Sequence, residues 1–264
     1  MSVIRFIYAN ERGVGKTSLN TVFALNEMRD RQAYEQSLAE IDLLEQELDR
    51  TFKRPPTIQP HFVYSDYEIR DNHKYSRGYV SWPFNPFKFK LPNKQSQYSI
   101  FAPGSFFHIS EAQTKYNSRK FKKFMVAVSA SYEGSRHAGF TITLDGLGLT
   151  SIDSKIRKIV DEFICVLGTE HSMYDGRIVG TTWHCRVFDN IVDAESYDST
   201  HNDKLGTLVD YSFTYGKIFN CYKSRNNKLA FYRDASDHDF EYLSWDEIDS
   251  DFMLPPDDYY EKEE

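Results

Sequence analysis

A chain of 264 residues that is 40% hydrophobic, 16% aromatic and 27% charged can bury a sizeable core, which excludes a disordered polymer and predicts one main soluble domain. Its net charge of −7 excludes a protein that coats nucleic acid through its bulk field, so contact with nucleic acid would have to come from a local basic patch or from assembled subunits. No apolar stretch approaches the roughly 20 residues that span a bilayer, which predicts a cytosolic or peripheral protein.

The first predicted element is a buried strand over Val3 to Tyr8 (V-I-R-F-I-Y), short, β-branched and aromatic. Asn10 to Thr17 follow as N-E-R-G-V-G-K-T, the pattern of a phosphate-binding loop, with Asn10 where the strict motif has its first glycine. Such a loop curls backbone N–H groups around phosphate oxygens, puts a lysine on the β/γ-phosphates and offers a hydroxyl to Mg²⁺. Asn10, Glu11, Arg12, Gly13, Val14, Gly15, Lys16, Thr17 and Ser18 are therefore the candidate nucleotide-binding residues, and Thr17 a candidate Mg²⁺ ligand. Asparagine is the substitute that best tolerates a positive φ, which is the expectation at Asn10. Leu19, Val22, Phe23 and Leu25 then recur at helical spacing, so the lysine and threonine open a helix.

Tyr34 to Phe52 carry Leu38, Ile41, Leu44, Leu48 and Phe52 as a narrow stripe with an acidic outer face, an amphipathic helix closed by Pro55 and Pro56. It either continues the preceding helix or folds back on it, and its stripe packs on the domain's own core or contacts another subunit, the first being favoured. From Pro60 to Pro92 short strands are predicted, the best over His61 to Tyr67. Trp82, Phe84, Phe87 and Phe89 read as a half-buried strand in preference to a base-stacking surface.

Ile100 to Ile109 contain a Pro103-Gly104 turn and an apolar strand that ends in Ser110-Glu111. A strand ending in two polar residues, the second a glutamate, is where phosphate-loop enzymes keep a metal-side carboxylate and the group that orients the attacking water. Glu111 is the candidate base. Ser110 stands where aspartate is usual; its hydroxyl can serve a metal-bound water, and is a candidate metal group, but brings no charge. Further strands are predicted over Phe124 to Val128 and Phe140 to Leu144, an amphipathic helix over Ile152 to Val166, and β-leaning sequence from Val187. The alternation predicts an α/β fold with a mainly parallel sheet covered by helices. The last nineteen residues hold nine acids against one lysine, which predicts an acidic extension that is partly disordered or serves as an interaction arm. Cys165, Cys185 and Cys221 are too scattered for a disulfide framework, and His171, His184 and Cys185 lack zinc spacing, so Mg²⁺ with nucleotide is the one metal expected.

Four segments together resemble the zonular occludens toxin-like ATPases, which include the assembly ATPases of filamentous phages and stand in the FtsK/HerA branch of phosphate-loop motors. They are N-E-R-G-V-G-K-T, A-P-G-S-F-F-H-I-S-E-A-Q-T-K-Y-N-S-R, S-R-H-A-G-F-T-I-T-L-D-G-L-G-L-T-S-I-D-S-K-I-R and G-K-I-F-N-C-Y-K-S, in the family's order across roughly residues 1–225. The resemblance implies a RecA-like P-loop NTPase domain over 1–225, with a helical insertion over 34–54 and a β-rich C-terminal part, followed by an extension over 226–264. It also implies ATP and Mg²⁺ as cofactors, a ring-shaped homo-oligomer, and action on phage or mobile-element DNA with phage or host assembly proteins.

In such rings an arginine from the neighbour completes the site; Arg136, in the R-H-A-G segment, is the favoured candidate and Arg119 the second. The family's Thr-Gln, whose glutamine senses the γ-phosphate, falls on Gly146-Leu147. That departure, with Ser110, points to slow hydrolysis, or to a nucleotide-binding assembly component that hardly turns over. The membrane helix common after the family's ATPase domain has no counterpart here, so attachment to the inner membrane would run through a partner. A secreted toxin is the weakest reading, because a nucleotide loop begins at residue 10 and no signal-peptide pattern precedes it.

Overall fold

The computed structural model describes residues 3–48, 63–72, 80–86, 105–116, 132, 134–137, 139–214, 218, 221 and 222. The elements run β1 (Ile4–Ala9), α1 (Lys16–Leu48), β2 (Val63–Ser65), β3 (Trp82–Pro83), β4 (Phe106–Ile109), α2 (Ala112–Lys115), β5 (Thr141–Leu147), α3 (Ser154–Ile159), β6 (Glu162–Tyr174), β7 (Arg177–Phe188), α4 (Ile191–Thr200) and β8 (Thr207–Phe213). One eight-stranded sheet has the order β3-β2-β4-β5-β1-β6-β7-β8. From β3 to β6 every neighbouring pair is parallel; β7 and β8 are added antiparallel. This is the mainly parallel, RecA-like α/β sheet expected, with the β-rich part at its C-terminal side.

Strand β1 reads as an almost unbroken apolar run because both of its faces are covered. Ile4, Phe6 and Tyr8 lie in one buried cluster with Phe107, Ile142, Leu144, Phe163 and residues of α3 and α4. Ile7 and Ala9 lie in the other, against Leu19, Val22, Leu25 and Met28 of α1. Burial of each such large side chain contributes about 1.5–3 kcal/mol, which holds α1 against the sheet and fixes where its first turn sits. Strand β5 lies between β1 and β4, in register Tyr8↔Gly146 and Ile109↔Leu144. The loop after β1 and the polar end of β4 are thus separated by one strand.

Several expectations are corrected. The helix predicted over Ile152 to Val166 is α3 alone, six residues long, and the chain turns at Val160 and Asp161 into β6. Phe163 to Val166 are buried, and a short apolar run covered on both faces carries no period that separates strand from helix. The β-leaning stretch after Val187 contains α4, whose N-cap Asn190 accepts from the Asp193 amide at 2.9 Å, a capping signal the composition hid. Of the two courses left open for the segment after residue 34, the structure takes the first: α1 is continuous to Leu48. Leu43, Leu44 and Leu48 are exposed, so the described end of the stripe does not pack on the domain's own core. Of the strand expected over His61 to Tyr67, Val63–Ser65 form β2, which ends before Asp66, while residues 61 and 62 lie outside the described residues. Trp82 of β3 packs against the core and Phe84, just beyond that two-residue strand, is buried in it. Phe124 to Val128, Phe87, Phe89 and residues 226–264 lie outside the described residues.

Candidate nucleotide site

Ala9 ends β1 and the chain turns through residues 10–15 into α1. Gly13 and Gly15 adopt φ +80° and +87°, a backbone that other residues enter only with strain. A Cβ at Gly15 would stand 2.6 Å from Trp183 Nε1, so this position also needs glycine for space. The loop is braced from β6 and β7: Trp183 Nε1 donates to Gly15 O at 3.0 Å and Ser18 Oγ at 3.2 Å, and Thr169 Oγ1 donates to Val14 O at 2.6 Å. The expected positive φ at Asn10 is not found, since among the described residues only Glu111, Asp175 and His201 enter that region besides glycine. Asn10 is instead an anchor, its Nδ2 donating to Asp198 Oδ1 at 2.9 Å.

Arg12, Gly13, Gly15, Lys16, Thr17 and Ser18 line a cavity of about 630 Å³. Ser110, Glu111, Asp145 and Tyr222 line it from the other side. It opens beyond the C-terminal ends of parallel strands, where open α/β sheets hold their ligands. Asn10, Glu11 and Val14 border a separate cleft of about 200 Å³ beside Tyr197 and His201. Lys16 Nζ donates to Glu11 O at 3.0 Å, across the loop. Burial lowers its pKa, Asp145 and then Glu111 oppose the shift, and Arg12 adds to it. A lysine on a glycine loop at the start of a helix, lining the cavity, is the arrangement that receives phosphate oxygens.

At the end of β4, Ser110 and Glu111 border the same cavity as the loop. Ser110 Oγ is 3.2 Å from Thr17 Oγ1. Asp66, fully buried just after β2, accepts from the Ser110 amide at 2.9 Å and pairs with Lys115, which also donates to Ser110 O. Burial raises the pKa of Asp66 and the Lys115 charge opposes it. Glu111 takes a left-handed φ of 48° at the start of α2 and is exposed at the cavity.

The residue that sequence reasoning missed is Asp145, in the middle of T-I-T-L-D-G-L. Its Oδ1 accepts from Thr17 Oγ1 at 3.3 Å, Ser110 Oγ at 3.4 Å and the Glu111 amide at 3.1 Å, and its Oδ2 accepts from Asn20 Nδ2 at 3.0 Å. Burial pushes its pKa up to about 6, against the pull of those donors. Asn20 Oδ1 is in turn 2.8 Å from His108 Nδ1, and burial lowers that histidine to about 3, so its ring is neutral. The one available signal was an acid interrupting an otherwise apolar and threonine-rich strand.

The departure at Gly146-Leu147 acquires a steric cause. A Cβ at Gly146 would stand 2.9 Å from Gln113 Oε1 and 3.1 Å from the Phe6 ring. Gln113 Oε1 accepts from the Leu147 amide at 3.2 Å. Arg136 does not reach the cavity of its own chain: it lies in the turn before β5, paired with Asp161, and the seven residues of that strand, roughly 20 Å, separate it from the loop end of the sheet. Arg119 lies outside the described residues. Cys165, Cys185 and Cys221 are buried free thiols, and among the described residues no cluster of His, Cys, Asp and Glu is arranged to hold a metal by itself. No helix among them is long and apolar enough to cross a membrane.

No family model and no curated protein sequence matches the chain. Among solved structures, the chain is similar to the N-terminal domain of zonular occludens toxin from Neisseria meningitidis, at 16% identity and a TM-score of 0.44, over 84% of this chain and 100% of that one. It is also similar to the genome packaging NTPase B204 of Sulfolobus turreted icosahedral virus 2 in complex with AMP, at 11% identity and a TM-score of 0.39, over 80% and 96% of the two chains. The strand order, the glycine loop between β1 and α1, and the polar end of β4 one strand away make this a RecA-like P-loop NTPase fold.

Proposed function

We propose that the chain binds ATP with Mg²⁺ and hydrolyses it as an oligomeric assembly ATPase acting on phage or mobile-element DNA, in virion assembly, packaging or extrusion. The observation that carries the nucleotide reading is the single cavity in which Lys16 and Thr17 face Ser110, Glu111 and Asp145. The reading of DNA as substrate, and of a homo-oligomeric ring with phage or host partners and a peripheral place at the inner membrane, is supported by the four sequence motifs.

The loop amides and Lys16 hold the phosphates, and Arg12 adds positive charge at the cavity mouth. Thr17 Oγ1, Ser110 Oγ and Asp145 Oδ1 form an all-oxygen set that fits a hard divalent cation. Magnesium held by these oxygens would supply charge neutralisation to the bound phosphates. Glu111, exposed at the cavity, orients the attacking water and accepts its proton. An arginine delivered by a neighbouring subunit, Arg136 or Arg119, neutralises charge that develops as the phosphate leaves.

A second reading keeps the nucleotide as a structural ligand. The apolar Leu147 on the cavity wall, where the resemblance calls for a glutamine, favours it. ATP turnover of the purified chain, with and without single-stranded DNA, decides between them: a motor turns over and is stimulated by DNA, whereas binding without turnover in either condition selects the structural reading.

A further inference from the structure

Resting on the nucleotide reading above, we infer that Asp145 is the charged group of the Mg²⁺ site, the carboxylate having moved from the end of β4 to the adjacent position on β5.

Ile109 and Leu144 are register partners in the parallel β4–β5 pair, so Ser110 and Asp145 are the next positions along it, side by side. A carboxylate at 145 is therefore displaced from one at 110 by one strand spacing, about 4.8 Å. Its Oδ1 lies 3.3 Å from Thr17 Oγ1 and 3.4 Å from Ser110 Oγ, and those two hydroxyls are 3.2 Å apart. Neighbouring ligands of an octahedral Mg²⁺ at 2.0–2.1 Å stand about 2.9 Å from one another, so this triangle closes on the ion with small adjustments.

The charge balance points the same way. Asp145 is buried, lines the cavity and makes no ion pair with a described residue, while Lys115 is bound to Asp66 and Lys16 reaches over to Glu11 O. A buried carboxylate without a cation is costly, and a metal on its cavity side removes that cost. Asn20 and the Glu111 amide fix the carboxylate from behind, as outer hydrogen bonds orient metal ligands. The consequence for Ser110 follows: an aspartate added there sets a second carboxylate one strand spacing, roughly 4.8 Å, from Asp145, where each charge disfavours ionisation of the other.

The test is the affinity of a fluorescent ATPγS analogue in EDTA and in Mg²⁺, alongside the thermal midpoint of each variant. The unsubstituted chain should bind roughly tenfold more tightly with Mg²⁺, one charge-assisted contact's worth. Asp145→Asn should keep the affinity in EDTA and lose most of the Mg²⁺ gain; Ser110→Asp alone should gain nothing; and the double variant Ser110→Asp/Asp145→Asn should recover the gain. Full retention of the Mg²⁺ gain by Asp145→Asn, or a folded double variant that stays as weak as Asp145→Asn, overturns the assignment. If the Asp145 variants do not fold, Mn²⁺ with ATPγS on the unsubstituted chain labelled with ¹³C-aspartate gives an independent reading. An electron–nuclear coupling from carboxylate carbon is expected, and its absence overturns the assignment. An unsubstituted chain that binds the analogue in neither condition overturns the nucleotide reading, and this assignment with it.

Discussion

Glu27 shows how a single side chain on α1 ties the stability of the fold to pH. Burial pushes its carboxyl up to about 7, Asp30 adds to the shift and Arg5 opposes it. A folded pKa raised above the ordinary 4.5 means that the neutral form is favoured in the folded state. Its contribution is therefore fully present below pH 4.5 and is lost as the pH rises through about 7. Glu27→Gln should melt a few degrees higher than the unsubstituted chain at pH 8 and alike at pH 5, since about 1 kcal/mol moves a midpoint by 2–4 °C in chains of this size. Equal midpoints at both values would mean that Glu27 is solvated in the folded state.

Residue identity was legible in the sequence where one residue type is physically required. Gly13 and Gly15 show their positive φ as glycine, and Lys16 and Thr17 their roles by position after them. Asp145 was not legible, because its role exists only once β5 is known to lie between β1 and β4. Strand order is a long-range property that local periodicity does not carry.

Among the elements, the β6–β7 pair does most to hold the loop, and nothing in its composition announces this. Trp183 is wholly buried, and its indole N–H reaches both Gly15 O and Ser18 Oγ. Trp183→Phe keeps an aromatic ring but removes the one indole N–H shared between both acceptors, a net contribution of about 1 kcal/mol. ATP affinity should fall roughly tenfold and the fold should lose about 1–3 kcal/mol, measured by calorimetric titration and urea unfolding. Unchanged affinity in a destabilised variant would confine Trp183 to the core. The element boundaries that sequence patterns missed share one cause. A buried strand such as Phe163 to Val166 and a buried helix face are both apolar runs, and only the turn at Asp161, whose side chain accepts from the Ile4 amide at 2.9 Å, divides them in space.

For the whole molecule, the position of Arg136 sets the requirement for assembly. Paired with Asp161 at the strand-start end of the sheet, it cannot serve the cavity of its own chain, so a catalytic role demands a second subunit. Arg136→Ala should leave ATP binding intact and remove hydrolysis, because the arginine acts on charge that develops in the transition state. Mixing Arg136→Ala with Glu111→Gln subunits should restore partial turnover, since some interfaces then join an intact Glu111 to an intact Arg136. A mixture that assembles and stays as inactive as either variant shows that Arg136 does not act across an interface.

Titration of ATP into the unsubstituted chain and into Lys16→Ala tests most directly whether the loop after β1 holds the phosphates of ATP. Lys16 supplies one charge-assisted contact worth about 1.5–3 kcal/mol while the glycine backbone cradle remains, so the variant should bind roughly 10- to 100-fold more weakly with its thermal midpoint nearly unchanged. Lys16→Ala that binds ATP as tightly as the unsubstituted chain would contradict the assignment of this cavity to nucleotide.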